Sequence, residues 1–240
     1  MEKVNIGILS PDTANRPHFK SFENILPPGV SVAHEGLGLL RDAYENLAGK
    51  TDQVIAKAAD FVRRNKMEGL ILAGGFMTLF NPGLEAQLSE SINLPVASAV
   101  SSVTAALKSF SVRHVLLMTP FSAKMNSVIQ RHLSDLGFTV ALGPSFENRT
   151  PGSSTGLSHD ELFQMVEDAL SKAPTAQAIY FQGATLDPLP ILQRLEDKLG
   201  VPVIASNPAM LWKLLSMLGL KYSISGYGRL LSAWPALPAV

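Results

Sequence analysis

The chain is predicted to fold as an α/β protein of two lobes, each a small doubly wound parallel sheet, with a cleft between them. The first observation is a recurring landmark: Val4–Pro11 (VNIGILSP) and Val112–Pro120 (VRHVLLMTP) are apolar runs closed by Ser-Pro and Thr-Pro, and the two prolines lie 109 positions apart. The second is that each half continues with a glycine-closed run, GLILAGG at 69–75 and AIYFQGA at 178–184, then an amphipathic stretch and another buried run. Those later runs are LPVASAVSS at 94–102 and VPVIASNPA at 201–209, with Pro95 and Pro202 107 positions apart. Three landmarks in one order at nearly one spacing indicate two copies of one unit. The third observation is alternation: short apolar runs are separated by helical patterns at 52–66, 124–136 and 160–172, which reads as parallel strands joined by crossover helices.

The repeat sets the lobe boundaries. The second lobe is expected at 109–208 and the first at 1–108 plus 209–240, because AMLWKLLSMLGL after Pro208 reads as a helix that crosses back. The tail AWPALPAV is expected to be loose. With 240 residues the chain exceeds one average domain, in keeping with two small fused lobes. Hydrophobic residues make up 46% and charged residues 17%, enough for a packed core and too apolar for disorder.

Charge narrows the partners. Twenty Lys+Arg balance twenty Asp+Glu and no basic stripe forms, so nucleic acid is not expected. MEKVNIGILSP is too short a run for a signal-peptide core and no segment reaches about 18 unbroken apolar residues, so a soluble, cytoplasmic protein with no membrane partner is expected. The chain has no cysteine, which excludes disulfides, thiolate metal sites and a thiol nucleophile. His114 and His132, on a strand start and a helix, have no second ligand at metal spacing, so no metal site is expected. A small molecule is the expected partner, and the sequence leaves the oligomeric state open.

In doubly wound sheets the loops after the strand C-termini line the ligand crevice. Those loops are Ser10-Pro11-Asp12, Gly74-Gly75-Phe76, Thr119-Pro120-Phe121, Gln182-Gly183-Ala184 and Ser206-Asn207-Pro208. Gly74, Gly75 and Gly183 allow close backbone approach and expose N–H groups that can cradle an anion, although a tight strand-to-helix turn explains them equally well. Thr78, Thr119, Ser122, Gln182, Thr185, Ser206 and Asn207 can donate to a carboxylate. Ser206-Asn207-Pro208 also reads as a helix start.

GLGL at 36–39, RLEDKLGVPVIASNPAMLW at 194–212 and GYGRLL at 226–231 resemble the aspartate/glutamate racemase superfamily, within it the branch of arylmalonate decarboxylases and maleate cis-trans isomerases. The resemblance spans nearly the whole chain. It implies two Rossmann-like lobes related by pseudo-two-fold symmetry, a site between them, and cofactor-independent chemistry on a carbanion or enediolate beside a carboxylate. It also implies cysteines, one per lobe in the racemases and isomerases and one in the decarboxylases. The matching positions fall at or beside Gly74 and Gly183, so both thiols are missing. A Thr-Ser pair and a tyrosine that hold the carboxylate in the decarboxylases are replaced here by Gly75-Phe76 and Phe121. The family pattern places Pro11, Leu39, Phe76 and Ala184 along the substrate pocket and makes Tyr227 and Arg229 a structural clasp.

With the thiols gone, Asp12, His34 and Glu35 are the candidate proton-transfer groups. Asp12 stands where the decarboxylases carry a second proline, and burial beside Phe76 and Phe121 would turn it into a proton donor. His34 and Glu35 precede the GLGL segment that borders the pocket in the family, and histidine titrates near neutrality. His18, on the loop after Asp12, is a further candidate. Phe76, Met77, Leu79 and Phe80 read as core by default, or as an enlarged apolar pocket suited to an aromatic or alkyl acid. The function expected is a cofactor-independent lyase, most simply a decarboxylase of a small malonate-like carboxylic acid. The alternatives are an isomerase or racemase of a dicarboxylic acid using non-thiol bases, and a non-catalytic small-acid binding protein.

Overall fold

Among the described residues eight short strands form two sheets with the same internal order. The computed structural model describes residues 3–12 and 17–239, with the backbone alone at 17–19. The first sheet contains β1 (Val4–Ser10), β2 (Val30–Gly36), β3 (Gly69–Leu72) and β4 (Val96–Ser98), all parallel in the order β2-β1-β3-β4. The second contains β5 (His114–Met118), β6 (Thr139–Leu142), β7 (Ala178–Phe181) and β8 (Val203–Ala205), parallel in the order β6-β5-β7-β8. The two-lobed α/β class read from the repeat is therefore the one observed. The inner strands GLIL and AIYF are buried throughout, as expected of strands covered on both faces.

The connections are helices: α1 (Pro17–Glu23), α2 (Thr51–Asn65), α3 (Gly75–Leu79), α4 (Leu84–Ile92) and α5 (Ala99–Ser109) belong to the first repeat. The second repeat supplies α6 (Ala123–Asp135), α7 (His159–Ser171), α8 (Leu192–Leu199) and α9 (Ser206–Met217), and α10 (Arg229–Ala233) follows. Helix α2 turns Val54, Ala58 and Phe61 onto the sheet, where Gly7 leaves room: a Cβ there would stand 2.7 Å from the Phe61 ring. Ser158 and Glu161 close a reciprocal capping box at the start of α7.

Helices α5 and α9 pack on each other between the sheets. Leu214 of α9 lies against Gly69 of β3, 2.8 Å from where a Cβ would sit. The tail differs from expectation. Trp234 is 2% exposed and donates to Ser216 Oγ at 3.0 Å, Trp212 donates to Pro235 O at 2.9 Å, and Ser109 donates to Ala236 O at 3.1 Å. Burying an indole and satisfying its N–H outweigh the looseness expected of a terminus. The clasp at GYGRLL is structural: buried Glu196 accepts from Val203 N at 2.8 Å and from Arg229 N at 2.6 Å. Among the described residues no helix is long and apolar enough to cross a membrane.

Candidate active site between the lobes

At the end of β1 the chain turns through Ser10-Pro11-Asp12, and the GLGL segment is stitched onto that turn. Leu39 N and Leu40 N both donate to Pro11 O at 2.8 Å, and Gly38 N donates to Asp12 O at 3.0 Å. The two glycine turns face this region from β3 and β7. Gly74 has φ 84° and Gly183 φ 102°, a region L-residues rarely adopt. Each is pressed on a proline: a Cβ on Gly74 would lie 2.8 Å from Pro11, and one on Gly183 2.7 Å from Pro120 and 2.8 Å from Phe121. Gly75 is glycine for another reason, since a side chain there would overlap the Gln182 amide arriving from the other lobe.

These loops enclose a cavity of about 80 Å³. Its apolar wall is Leu40, Tyr44, Leu47, Phe76, Phe121 and Met210. Its polar side carries Ser10, Asp12, Gln182, Thr185, Ser206 and Asn207. The rings of Tyr44, Phe76 and Phe121 meet one another at centroid distances of 4.7, 5.2 and 4.9 Å. The aromatic cluster thus fills space instead of enlarging the pocket. A wider pocket of about 350 Å³ adjoins it, sharing Tyr44, Phe121, Gly152 and Thr185.

Gln182 is held by its acceptor end. The Tyr180 hydroxyl donates to its Oε1, and so does Ser206 Oγ at 3.1 Å. The Tyr180 hydroxyl, with Ser206 Oγ divided between Gln182 Oε1 and Phe181 O, orients the amide so that Nε2, a pure donor, points across the cleft toward Gly75. Tyr44 restores a phenol to the cavity from an unforeseen place, the short turn Tyr44–Leu47. Its hydroxyl accepts from Gly152 N at 3.4 Å. Burial pushes its pKa up to about 12; the negative charge of Asp12 adds to this, while the Gly152 N–H and Arg149 oppose it. The phenol therefore stays a neutral hydrogen-bond donor.

The structure divides the residues singled out by sequence. Pro11, Asp12, Gly74, Gly75 and Phe76 line the cavity from the first lobe, and Phe121, Gln182, Gly183 and Ala184 from the second. His34 does not reach it directly. It stands behind the cavity-lining Ser10, with Nε2 2.9 Å from Ser10 Oγ, and burial lowers its pKa below the ordinary histidine value. Glu35 points the other way, because neighbours on a strand alternate faces, and it pairs with Arg64 at 2.6 Å. Leu39 packs in the core while Leu40 faces the cavity.

Thr119 is buried, bonded to Asn126 Oδ1 and accepting from Phe121 N at 3.1 Å. Ser122 caps α6 and borders the outer pocket. Thr78 donates to Gly75 O at 3.2 Å within its own helix. The side chain of His18 lies outside the described residues. Leu40, Tyr44, Leu47, Gly152 and Met210 were missed by sequence reasoning; none stands at a strand end, so strand-end loops could not reveal them.

The fold and site define a two-lobed α/β protein whose cavity is built from strand-end loops of both lobes. The family model for arylmalonate decarboxylase matches residues 7–231, and the chain belongs to that family. It is 26% identical over 214 residues to the arylmalonate decarboxylase of Bordetella bronchiseptica, covering 85% of this chain and 88% of that protein. The structure of unliganded arylmalonate decarboxylase superposes with a TM-score of 0.82 at 22% identity, over 96% of this chain and 100% of that one. The maleate cis-trans isomerase of Nocardia farcinica, solved as a mutant with a covalently bound succinylcysteine intermediate, gives a TM-score of 0.82 at 19% identity over 96% and 98%. A cysteine adduct is closed to the present chain, which has no cysteine.

Proposed function

We propose that this chain is a cofactor-independent lyase that decarboxylates a small malonate-like acid in the interlobe cavity. The observation that carries the reading is a cavity whose lining combines apolar and aromatic side chains with held donors, Gln182 and the Tyr44 hydroxyl among them. One carboxylate of the substrate is held by Gln182 Nε2, the Tyr44 hydroxyl and the backbone amides that open the two glycine turns, amides that have no acceptor within their own turns. The other carboxylate lies against Phe76 and Phe121, where poor solvation favours its departure as CO2. The C–C electron pair passes into an enediolate on the held carboxyl, and the same donors stabilise the charge that develops there.

The proton that ends the reaction comes from the first lobe, which brings Ser10 and Asp12 to the cavity and His34 behind Ser10. The second lobe offers no matching acid. Asp187 accepts from Ser21 Oγ at 2.7 Å and lies outside the cavity, and Thr119 is committed to Asn126. This one-sidedness favours a decarboxylase over a two-base isomerase or racemase, which needs acid and base on opposite faces.

The test is a panel of monosubstituted malonates, with CO2 release and calorimetric binding measured together. Release from at least one small member is expected. Tight binding without release from any would replace the lyase by a small-acid binding protein, and interconversion of a dicarboxylic acid without CO2 would favour the isomerase.

A further inference from the structure

We infer that Ser10 and His34 form the proton-delivery couple of this cleft, Ser10 handing its hydroxyl proton to the carbanionic carbon and His34 resupplying Ser10 from behind. The inference deepens the lyase reading and rests on it. Ser10 is the last residue of β1, is fully buried and is one of the residues that line the cavity. His34 lies on the adjacent strand, opposite Ile8 in the β1–β2 register. Residues 8 and 10 share a sheet face, so the imidazole is set beside the Ser10 side chain, and Ser10 Oγ and His34 Nε2 are 2.9 Å apart. The imidazole is only half-buried, so it links the enclosed cavity to the outside of the lobe.

The other lobe shows what the couple is for. At the repeat offset of 109, Thr119 occupies the place of Ser10, but its hydroxyl is tied to Asn126 Oδ1 and the Phe121 amide. The place of His34, opposite Ile8, is taken by Leu142, opposite Leu117, so no imidazole stands behind Thr119. Among the described residues a hydroxyl backed by an imidazole stands on one side only.

A serine hydroxyl alone is a weak acid. A neighbouring imidazole that returns a proton to the oxygen as it gives one removes the cost of leaving an alkoxide in a dry site. The step balances as follows. The enediolate electron pair forms a C–H bond with the Ser10 hydroxyl proton, Ser10 Oγ takes the Nε2 proton of His34, and Nδ1 takes up another, so the net consumption is one proton per CO2 released. Burial lowers the imidazole pKa and disfavours a stored positive charge; in its Nε2–H tautomer the neutral ring donates to Ser10 Oγ.

The test measures kcat, KM and product chirality for wild type, Ser10→Ala, Ser10→Thr, His34→Gln and His34→Gly, together with exchange of the α-hydrogen of the monoacid product in D2O. Exchange asks for proton transfer at carbon without C–C cleavage. The expected result is a fall in kcat and exchange of about 100-fold for Ser10→Ala and His34→Gln, with KM within about threefold. Ser10→Thr should keep most activity, Ser10→Ala should give racemic product, and imidazole should revive His34→Gly but not Ser10→Ala. Because Ser10→Thr and the imidazole rescue use folded, active protein, misfolding of another variant does not decide the matter.

If wild type is active while Ser10→Ala and His34→Gln stay within about threefold, the couple is overturned and the lyase reading stands. Exchange that needs Ser10 and His34, without CO2 release from any acid, overturns the lyase and keeps the couple. Absence of both reactions in wild type overturns both.

Discussion

Ser10-Pro11-Asp12 and Thr119-Pro120-Phe121 close the first strands of the two repeats at an offset of 109, and they share a backbone task while dividing the chemistry. In both, the proline supports a glycine of positive φ, Gly74 in one lobe and Gly183 in the other. The flanking residues then diverge. The first lobe keeps a hydroxyl on an imidazole and adds a carboxyl. The second locks its hydroxyl to Asn126, places an apolar ring where the carboxyl stands, and sends in Gln182 as a donor. Under the proposed function the proton groups lie in the first lobe, while both lobes contribute donors to the held carboxylate.

The shared task is broken most severely at Gly183. Alanine there meets both a disfavoured φ and the Pro120 and Phe121 rings, so Gly183→Ala should destabilise the protein by about 3 kcal/mol or more in urea unfolding. Gly74→Ala should cost a similar amount, since Pro11 stands in the same relation to it. A small loss at one and a large loss at the other would show that the two turns are not equivalent supports.

Next comes the donor that the second lobe contributes. Gln182→Leu removes the donor and takes the Oε1 acceptor from the Tyr180 hydroxyl, while Ser206 keeps Phe181 O as an acceptor. Substrate binding should weaken by about 2 kcal/mol, a rise in KM of about thirtyfold, with the smaller effect on kcat. A fall in kcat at constant KM would mean that Gln182 acts on the charge that develops in the transition state and contributes little to holding the ground-state carboxylate.

How much of this was legible in the sequence follows the same division. The repeat is carried by apolar runs and by Pro and Gly positions, which act locally, so both sheets and both glycine turns could be read from spacing. Gln182 and Asp12 were reachable because they adjoin those turns. Tyr44 was not, because its place beside Phe76 and Phe121 depends on how the chain folds back after GLGL, and no periodicity encodes that path. Glu35 and His34 were proposed together, yet strand alternation sends one to Arg64 and the other to Ser10. The alternation was available in the sequence; the strand on which to apply it was not. Leu39 and Leu40 exchanged roles for a similar reason, since a single residue of register decides which one faces the cavity.

A smaller effect separates the two hydroxyls. Thr119→Val should cost about 1 to 2 kcal/mol of stability, because Asn126 and the Phe121 amide lose a buried partner. Since Thr119 does not line the cavity, kcat should stay within about threefold of wild type, in contrast to Ser10→Ala. Parallel losses of kcat in both variants would mean that the lobes share the proton chemistry after all.

The smallest effect lies at the far ends of the repeat, where the turn before the last strand is closed differently in each lobe. In the first, Ser89 Oγ donates to Leu94 O at 2.7 Å. In the second, the corresponding position is Glu196, which gathers the amides of Val203 and Arg229 and ties down α10. Burial raises the Glu196 pKa above its ordinary value of 4.5, against the pull of those amides and Arg229. Between 4.5 and the higher folded value, the folded protein holds a proton that the unfolded chain has released, so stability must fall as pH rises through that window and level off once the folded carboxyl ionises. One group can contribute a slope of at most about 1.4 kcal/mol per pH unit, and the amides that favour the ionised form keep it well below that. The decisive quantity is the difference between wild type and Glu196→Gln in urea unfolding from about pH 4 upward, because every other titrating group cancels in it. The variant starts lower, since its amide nitrogen faces a backbone N–H, and the gap should narrow as pH rises. A gap that widens with pH would mean that the amides outweigh burial and that the clasp is held by a carboxylate throughout.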